Sequence, residues 1–264
     1  MTKLLDALRQ WQFRGKRRLW DSITPSAGKR MASVFGANLE LDLANFVDRT
    51  IFMGCYEPLN TCLFKRILHP GGTVVDVGAN IGYFSLLAAS LVGKTGTVIA
   101  VEAHPGNFEI LSAVVRRNGL EQVVPVNIGL SDENGSGQVI MADQNEFANR
   151  TASMVPQPGL SGPTVPVRRF DDCISDWNID VVDLMKLDVD GFETRVVRGA
   201  VESLNSGRVK NVIVEFDDHW LRESGSSTEE LKALLHAAGF SIVRHPIISF
   251  FFGPVDDCHF FRQA

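Results

Sequence analysis

No apolar run of about 18 residues occurs anywhere in the 264-residue chain, so nothing in it reads as a membrane span. No Cys-x-x-Cys pair is present. Cys55, Cys62, Cys173 and Cys258 stand in unlike contexts, and the reading is four reduced thiols in a reducing compartment. The six histidines, His69, His104, His219, His236, His245 and His259, show no metal-ligand spacing. There is no excess of positive charge: the net charge of −5 argues against nonspecific nucleic-acid binding as the main activity. No internal repeat is visible, and no uninterrupted apolar stretch follows the N-terminal basic residues as a secretory signal would require.

What remains is an ordinary globular composition, 45% hydrophobic and 22% charged, in a chain long enough for one large α/β domain with an N-terminal extension. The division falls at residues 1–45 and 46–264. Charge is unevenly placed. Met1 to Trp20 carries six basic residues against Asp6 alone, a net +5 that leaves −10 for the rest. Leu4, Leu5, Leu8 and Trp11 fall at helical spacing, giving a basic amphipathic helix. Docking on its own domain is the first reading of that helix. A peripheral membrane contact, a partner contact or an organellar transit peptide are the alternatives. The localisation expected is cytoplasmic, with peripheral membrane association open.

The chain is organised around Thr73 to Ser85, TVVDVGANIGYFS. Val74, Val75 and Val77 read as a buried strand, and Gly78 and Gly82 bracket a turn into a helical pattern from Ile81 to Val92. Glycines there let a ligand lie against backbone, and the helix start offers unpaired N–H groups. A pyrophosphate site would need Gly-x-Gly-x-x-Gly. Here the spacing is Gly-x-x-x-Gly with Asp76 before it, and a carboxylate suits a sulfonium and an ammonium group better than a phosphate.

The following segments alternate. Thr97 to Val101 is a strand ending in Glu102, which lies about 20 residues beyond Gly82, where a strand-end acid meets ribose hydroxyls. Pro105 to Asn118 reads as a helix, Val123 to Ile128 as a strand, and Gln138 to Met141 as a strand-like addition. Regularity fades from Ala142 to Pro166, where Asn149, Arg150, Thr151 and Ser153 are expected to meet an acceptor. Phe170 to Trp177 is a short helix. Val181 to Val189 is a strand on which Lys186, Asp188 and Asp190 alternate and share one side. They read either as an internal ion pair or as working groups. Asn211 to Phe216 is a strand ending in Glu215, followed by Asp217, Asp218, His219 and Trp220; Thr228 to Ala238, Phe240 to Arg244 and Cys258 to Arg262 complete the pattern. The expected fold is a doubly wound, mostly parallel sheet with helices on both faces, and Asp76, Glu102, Asp188 and Glu215 at strand ends along its ligand-binding rim. The run Phe250 to Phe252 reads as core or subunit contact, which leaves a homo-oligomer open.

In order and combination these segments resemble the FkbM family of S-adenosylmethionine-dependent methyltransferases. The likeness rests on YEP at Tyr56 to Pro58, DVGANIGYFSL at Asp76 to Leu86, VEAHPGNFEIL at Val101 to Leu111, NIGLSD at Asn127 to Asp132, NRTASM at Asn149 to Met154, RRFDD at Arg168 to Asp172, LMKLDVDGFE at Leu184 to Glu193 and IVEF at Ile213 to Phe216. The resemblance implies a Rossmann-like methyltransferase fold and O-methylation of sugar or polyketide-type hydroxyls. It also implies a cofactor pocket of Asp76, Gly78, Asn80, Gly82, Tyr83, Glu102, Ala103, Gly129, Leu130 and Asp188, with Tyr56 and Glu57 nearby. Asp188 would border the methyl donor, while Lys186, Asp190, Glu215 or His219 orients or deprotonates the hydroxyl. Asp188, Glu215, Asp217 and Asp218 could supply oxygen ligands to a divalent metal, but no metal is the favoured reading. Two features depart from the family pattern: Ala103 and His104 precede Pro105 where an acid-proline step is usual, and Asp190 stands where glutamate is common. The expected partner is a small-molecule or glycan acceptor with a free hydroxyl. RNA or protein methylation, and a non-catalytic cofactor-binding module, are the alternatives.

Overall fold

The computed structural model describes residues 28–141, 152–156, 159–243 and 257–262. The basic segment 1–20, Asn149 to Thr151, His245 and Phe250 to Phe252 lie outside the described residues.

The chain enters through an antiparallel hairpin, β1 (Lys29–Val34) and β2 (Ala37–Asp42), whose inward residues Ala32, Val34, Leu39 and Leu41 are buried. Helix α1 (Phe46–Phe52) follows, its first turn closed by the Asn45 side chain accepting from the Asp48 N–H. Helix α2 (Pro58–Ile67) opens on a proline that lacks the N–H a first turn leaves unused anyway. Next come β3 (Thr73–Val77), α3 (Tyr83–Val92), β4 (Thr97–Val101), α4 (Pro105–Arg117) and β5 (Val123–Val126), two successive crossover units joining parallel strands.

Short strands β6 (Gly129–Ser131), β7 (Gly135–Gln138), β8 (Ile140–Met141), β9 (Ala152–Ser153) and β10 (Thr164–Arg169) come next, then α5 (Phe170–Asp176), β11 (Leu184–Leu187), α6 (Glu193–Gly199), α7 (Val201–Asn205) and β12 (Asn211–Glu215). Helices α8 (Asp218–Glu223) and α9 (Thr228–Ala237) lead to β13 (Phe240–Val243) and β14 (Asp257–Arg262).

The main sheet has the order β13-β14-β12-β11-β3-β4-β5, and β14 is antiparallel to both of its neighbours while the remaining pairs run parallel. From β3 the chain builds outward to β4 and β5; β11 then returns to the other side of β3. That reversal puts a crevice at the carboxyl ends of β3 and β11, where open α/β sheets bind ligands. One buried cluster lies under α5, α6 and α9 (Phe170, Val196, Leu231), and another under α2, α3 and α4 (Phe64, Leu87, Leu111). The hairpin adds a third, joining Leu39 and Leu41 to Ile81, Leu86 and Val114. Among the described residues no helix is long and apolar enough to cross a membrane.

Three sequence expectations need correction. The strand expected over Val181 to Val189 is regular only from Leu184 to Leu187, because Asp190 and Gly191 turn the chain left-handed at φ 46° and 100°. Asp190 is therefore off the strand, and its alternation with Lys186 and Asp188 ends there. The helix expected from Ile81 starts at Tyr83, behind the left-handed Gly82. Within the stretch expected to be irregular, Thr164–Arg169 is the middle strand of a second sheet, β6-β10-β7. Pro166 lies within the pairing to β7 but beyond the ladder to β6, which takes only Val167 to Arg169.

Candidate active site

At the carboxyl ends of β3, β4, β11 and β12 lies a cavity of about 320 Å³. Its wall brings together Tyr56, Glu57, Gly78, Asn80, Glu102, Ala103, Gly129, Leu130, Asp188, Asp190 and Glu215, residues that stand more than 150 positions apart in the chain. Five of these are carboxylic acids, and among the described residues no lysine, arginine or histidine lines the wall.

Its floor is the turn after β3. Gly78 and Ala79 donate their N–H groups to the Val101 carbonyl (3.0 and 2.9 Å), and the Asn80 N–H donates to Glu102 Oε2 (2.8 Å). His104 N–H donates to the other Glu102 oxygen at 2.8 Å, so both carboxyl oxygens are anchored on backbone. The Asn127 amide donates to the carbonyls of Glu102 (2.7 Å) and Ala103 (3.0 Å), fixing the loop behind them. Burial pushes the Glu102 carboxyl up to about 7, against the lowering effect of those N–H donors.

The second wall is the end of β11. Lys186 is buried, its Nζ 2.5 Å from Asp188 Oδ2 and 4.8 Å from the Phe84 ring centre. Burial works against the ammonium charge, but Asp188, Glu57 and Asp76 outweigh it and raise the Lys186 pKa. Burial also opposes ionisation of Asp188, yet Lys186 and a hydrogen bond with Glu215 hold its carboxyl below the usual range. Asp190 is the reverse case: burial, then the charges of Asp188 and Glu193, push it well above the usual carboxylate range. Glu193 accepts from the N–H groups of Val189 (2.9 Å) and Gly191 (3.0 Å), which locks the left-handed turn that presents Asp190.

The third wall is Tyr56-Glu57, with Glu57 left-handed at φ 35° just ahead of α2. Asn60 donates to Glu57 Oε2 at 2.8 Å. Burial, with Glu57 beside it, pushes the Tyr56 phenol well above its ordinary value, so it stays a neutral hydroxyl.

Several expected site residues stand back from the cavity. Asp76 is buried beneath it, accepting from Ser85 Oγ at 2.6 Å and facing Lys186 across the β3-β11 ladder. Gly82 shapes the start of α3, where a Cβ would meet Leu111 Cδ1 at 2.7 Å. Tyr83 buttresses Tyr56, ring centres 5.0 Å apart, and donates to its carbonyl at 3.3 Å. Lys186 acts from behind Asp188 rather than in the wall. His219 lies on exposed α8, outside the cavity wall. Asp217 caps that helix by accepting from the His219 and Trp220 N–H groups, and Asp218 accepts from Thr228 Oγ1. Neither reaches Asp188 and Glu215 as a metal ligand, and among the described residues no group of three or more His, Cys, Asp or Glu is placed to hold a metal.

Sequence reasoning did not single out Val47, Ile128, Met154 and Phe192, which contribute to the apolar part of the wall. Met154 and Phe192 fell inside quoted motifs, but nothing in their spacing marked them as lining. Ile128 likewise fell inside the NIGLSD motif without being marked as lining, and Val47 carried no signal at all.

A mostly parallel sheet with an acid-lined crevice at its switch point, and no phosphate-binding glycine pattern, defines a Rossmann-like S-adenosylmethionine-dependent methyltransferase. The cofactor's sulfonium, ammonium and ribose hydroxyls match a wall rich in carboxyl acceptors; a pyrophosphate would be repelled. The methyltransferase FkbM domain family matches residues 76–242, and the chain belongs to that family. It is 30% identical over 236 residues to the 31-O-demethyl-FK506 methyltransferase FkbM of Streptomyces tacrolimicus, covering 78% of this chain and 85% of that protein. It is 26% identical over 230 residues to the methyltransferase sdnD of Sordaria araneosa, covering 76% and 83%. Among solved structures, the methyltransferase FkbM from Methylobacillus flagellatus KT aligns with a TM-score of 0.49 at 16% identity, over 81% of this chain and 54% of that one.

Proposed function

We propose that the protein transfers a methyl group from S-adenosylmethionine to a hydroxyl of a saccharide, glycolipid or related natural product. The observation that carries this reading is that Glu102, Asp188, Asp190 and Glu215, from the ends of β4, β11 and β12, line one cavity. When bound, S-adenosylmethionine supplies a methyl group already activated on a sulfonium centre, so the protein has mainly to align an oxygen and remove its proton. Glu102, on Asn80 and His104, is the ribose acceptor in this reading, with Gly129, Leu130 and Ile128 around the base. Asp188, ionised against Lys186, faces the positive charge. Asp190, whose surroundings raise its basicity, takes the acceptor proton, with Glu215 beside it. The name of the Streptomyces relative supports an oxygen acceptor on a natural product.

Two tests follow. Calorimetry is expected to show S-adenosylmethionine binding that is lost in Glu102→Ala, and a panel of hydroxylated acceptors should then release S-adenosylhomocysteine. Absence of binding in folded protein would sink the assignment. EDTA-treated protein is expected to keep full activity; loss restored by magnesium would put a metal at Asp188 and Glu215.

The pH dependence of cofactor binding follows from Glu102, whose carboxyl sits at about 7. Below that pH the carboxyl is protonated and loses part of its capacity to accept from the ribose hydroxyls; above it, the carboxylate accepts from both. Affinity is expected to rise about tenfold from pH 6 to pH 8, and Glu102→Gln should flatten the rise. For stability the sign is opposite. The folded state binds the proton more tightly than the unfolded chain does, so this group's contribution falls as pH rises from 4.5 to about 7.

A further inference from the structure

The cavity of about 320 Å³ is at the low end of the ~300–1,000 Å³ that a pocket for one drug-sized ligand occupies. In the methyltransferase reading the cofactor takes this space, and an acceptor needs other room. That room adjoins. A groove of about 400 Å³ runs alongside, bounded by the turn from Ser131 to Gln138, by Leu160 and by Arg195. Met154 and Phe192 line both spaces.

Met154 forms the partition, and it is seated on two glycines. A Cβ on Gly129 would lie 2.5 Å from its sulfur, and one on Gly137 would lie 2.8 Å from its methyl. A methionine side chain is unbranched, with three rotatable bonds, so this wall can swing without moving backbone. Asp190, two residues before Phe192, stands on the cofactor side of it.

The lining selects the chemistry of the occupant. Arg195 lies 3.5 Å from Asp132, and Arg198 lies 3.9 Å from the same carboxylate, so the nearby cations are already matched and offer little to a phosphate or carboxylate. Glu133 presents a carboxylate, and β7, the edge strand of its sheet, presents backbone groups suited to hydroxyls, while Phe192 and the half-exposed Leu160 present apolar surface.

We propose that this groove is the acceptor subsite, that it takes a neutral polyhydroxylated molecule with one apolar face, and that Met154 is the movable partition through which the reactive hydroxyl reaches Asp190. The inference rests on the methyltransferase reading above. It predicts that the acceptor and the cofactor occupy separate spaces and do not compete.

The test uses the full chain saturated with S-adenosylhomocysteine, and phenyl β-D-glucopyranoside as the probe. Saturation-transfer NMR should detect the bound glucoside. In protein carrying carbon-13 methionine methyls, the Met154 signal, assigned through Met154→Leu, should shift as the probe is added. Gly135 has no atom within 4 Å of a built Cβ, so Gly135→Trp fills the groove without displacing backbone. It should weaken the probe at least tenfold and leave S-adenosylhomocysteine affinity within twofold; Leu160→Trp, at a half-exposed position that lines the groove and not the cofactor cavity, serves as a second block if the first variant loses the cofactor product. The proposal is overturned if the glucoside shows no saturation, if binding survives both blocks, or if S-adenosylhomocysteine displaces it. Failure of calorimetry to detect S-adenosylhomocysteine binding at all is a different result: it removes the methyltransferase reading, and the subsite falls with it.

Discussion

Gly78→Ala is expected to cost on the order of 4 kcal/mol of folding stability and to abolish cofactor binding. Two independent effects add. Gly78 sits at φ 80°, where a side chain is strained, and a Cβ there would lie 1.8 Å from the Asp188 carbonyl oxygen. Neither neighbour can yield cheaply: the Asp188 N–H is bonded to the Val77 carbonyl at 3.1 Å, and the Gly78 N–H to Val101 at 3.0 Å. Relief would have to separate the ends of β3 and β11, the two strands that flank the switch point. Gly82→Ala provides the comparison. Its φ is also positive, at 96°, but the nearest atom is Leu111 Cδ1 at 2.7 Å, the far end of a side chain that can rotate. Urea denaturation of both variants should show the larger loss at Gly78. Equal midpoints would mean that the close approach to Asp188 does not matter.

Lys186→Met is the second large effect, with an expected loss of about 3–5 kcal/mol at neutral pH. The ammonium is buried, and its removal leaves Asp188 without its partner and Asp76 without the cation facing it across the ladder. The cost comes from the uncompensated charges rather than from the pair's own strength, because desolvation offsets most of the attraction in an intact buried pair. Two consequences separate this account from simple loss of packing. In the wild type, the Asp188 carboxyl is held below its usual range, so its stabilising contribution is present at neutral pH and lost as pH falls through its folded-state pKa. In Lys186→Met the same carboxyl loses its main lowering influence, so the deficit should shrink between pH 7 and pH 5. The double variant Lys186→Met/Asp188→Asn should regain much of the stability while remaining inactive. A deficit that is constant with pH and deepens in the double variant would refute the charge argument.

Much of the site's address was readable in advance because strand-end acids mark the ligand rim of a parallel sheet. Glu102 and Glu215 each follow a run of apolar residues, Asp188 follows a strand interrupted by Lys186, and each reaches the cavity. Asp76 obeys the same local pattern and does not. It lies one residue before the end of β3, so the pleat turns it down onto Ser85 rather than up toward the rim. The distinction depends on where β3 ends, and a boundary uncertain by one residue inverts the answer. Asp190 illustrates the other limit. Its alternation with Lys186 and Asp188 is a fact of the sequence, but the left-handed turn that takes it off the strand is held by Glu193, whose role as acceptor for two backbone N–H groups has no sequence signature.

By itself, the sequence determined the class of fold, the family and the acidic character of the pocket, because apolar periodicity, glycine spacing and residue chemistry are local properties. Tertiary structure alone decided which acids face the cavity, that Lys186 is spent on Asp188, and that Met154 stands between two spaces. Those are properties of residues far apart in the chain, meeting in one dry volume where burial and neighbouring charge set what each group can do.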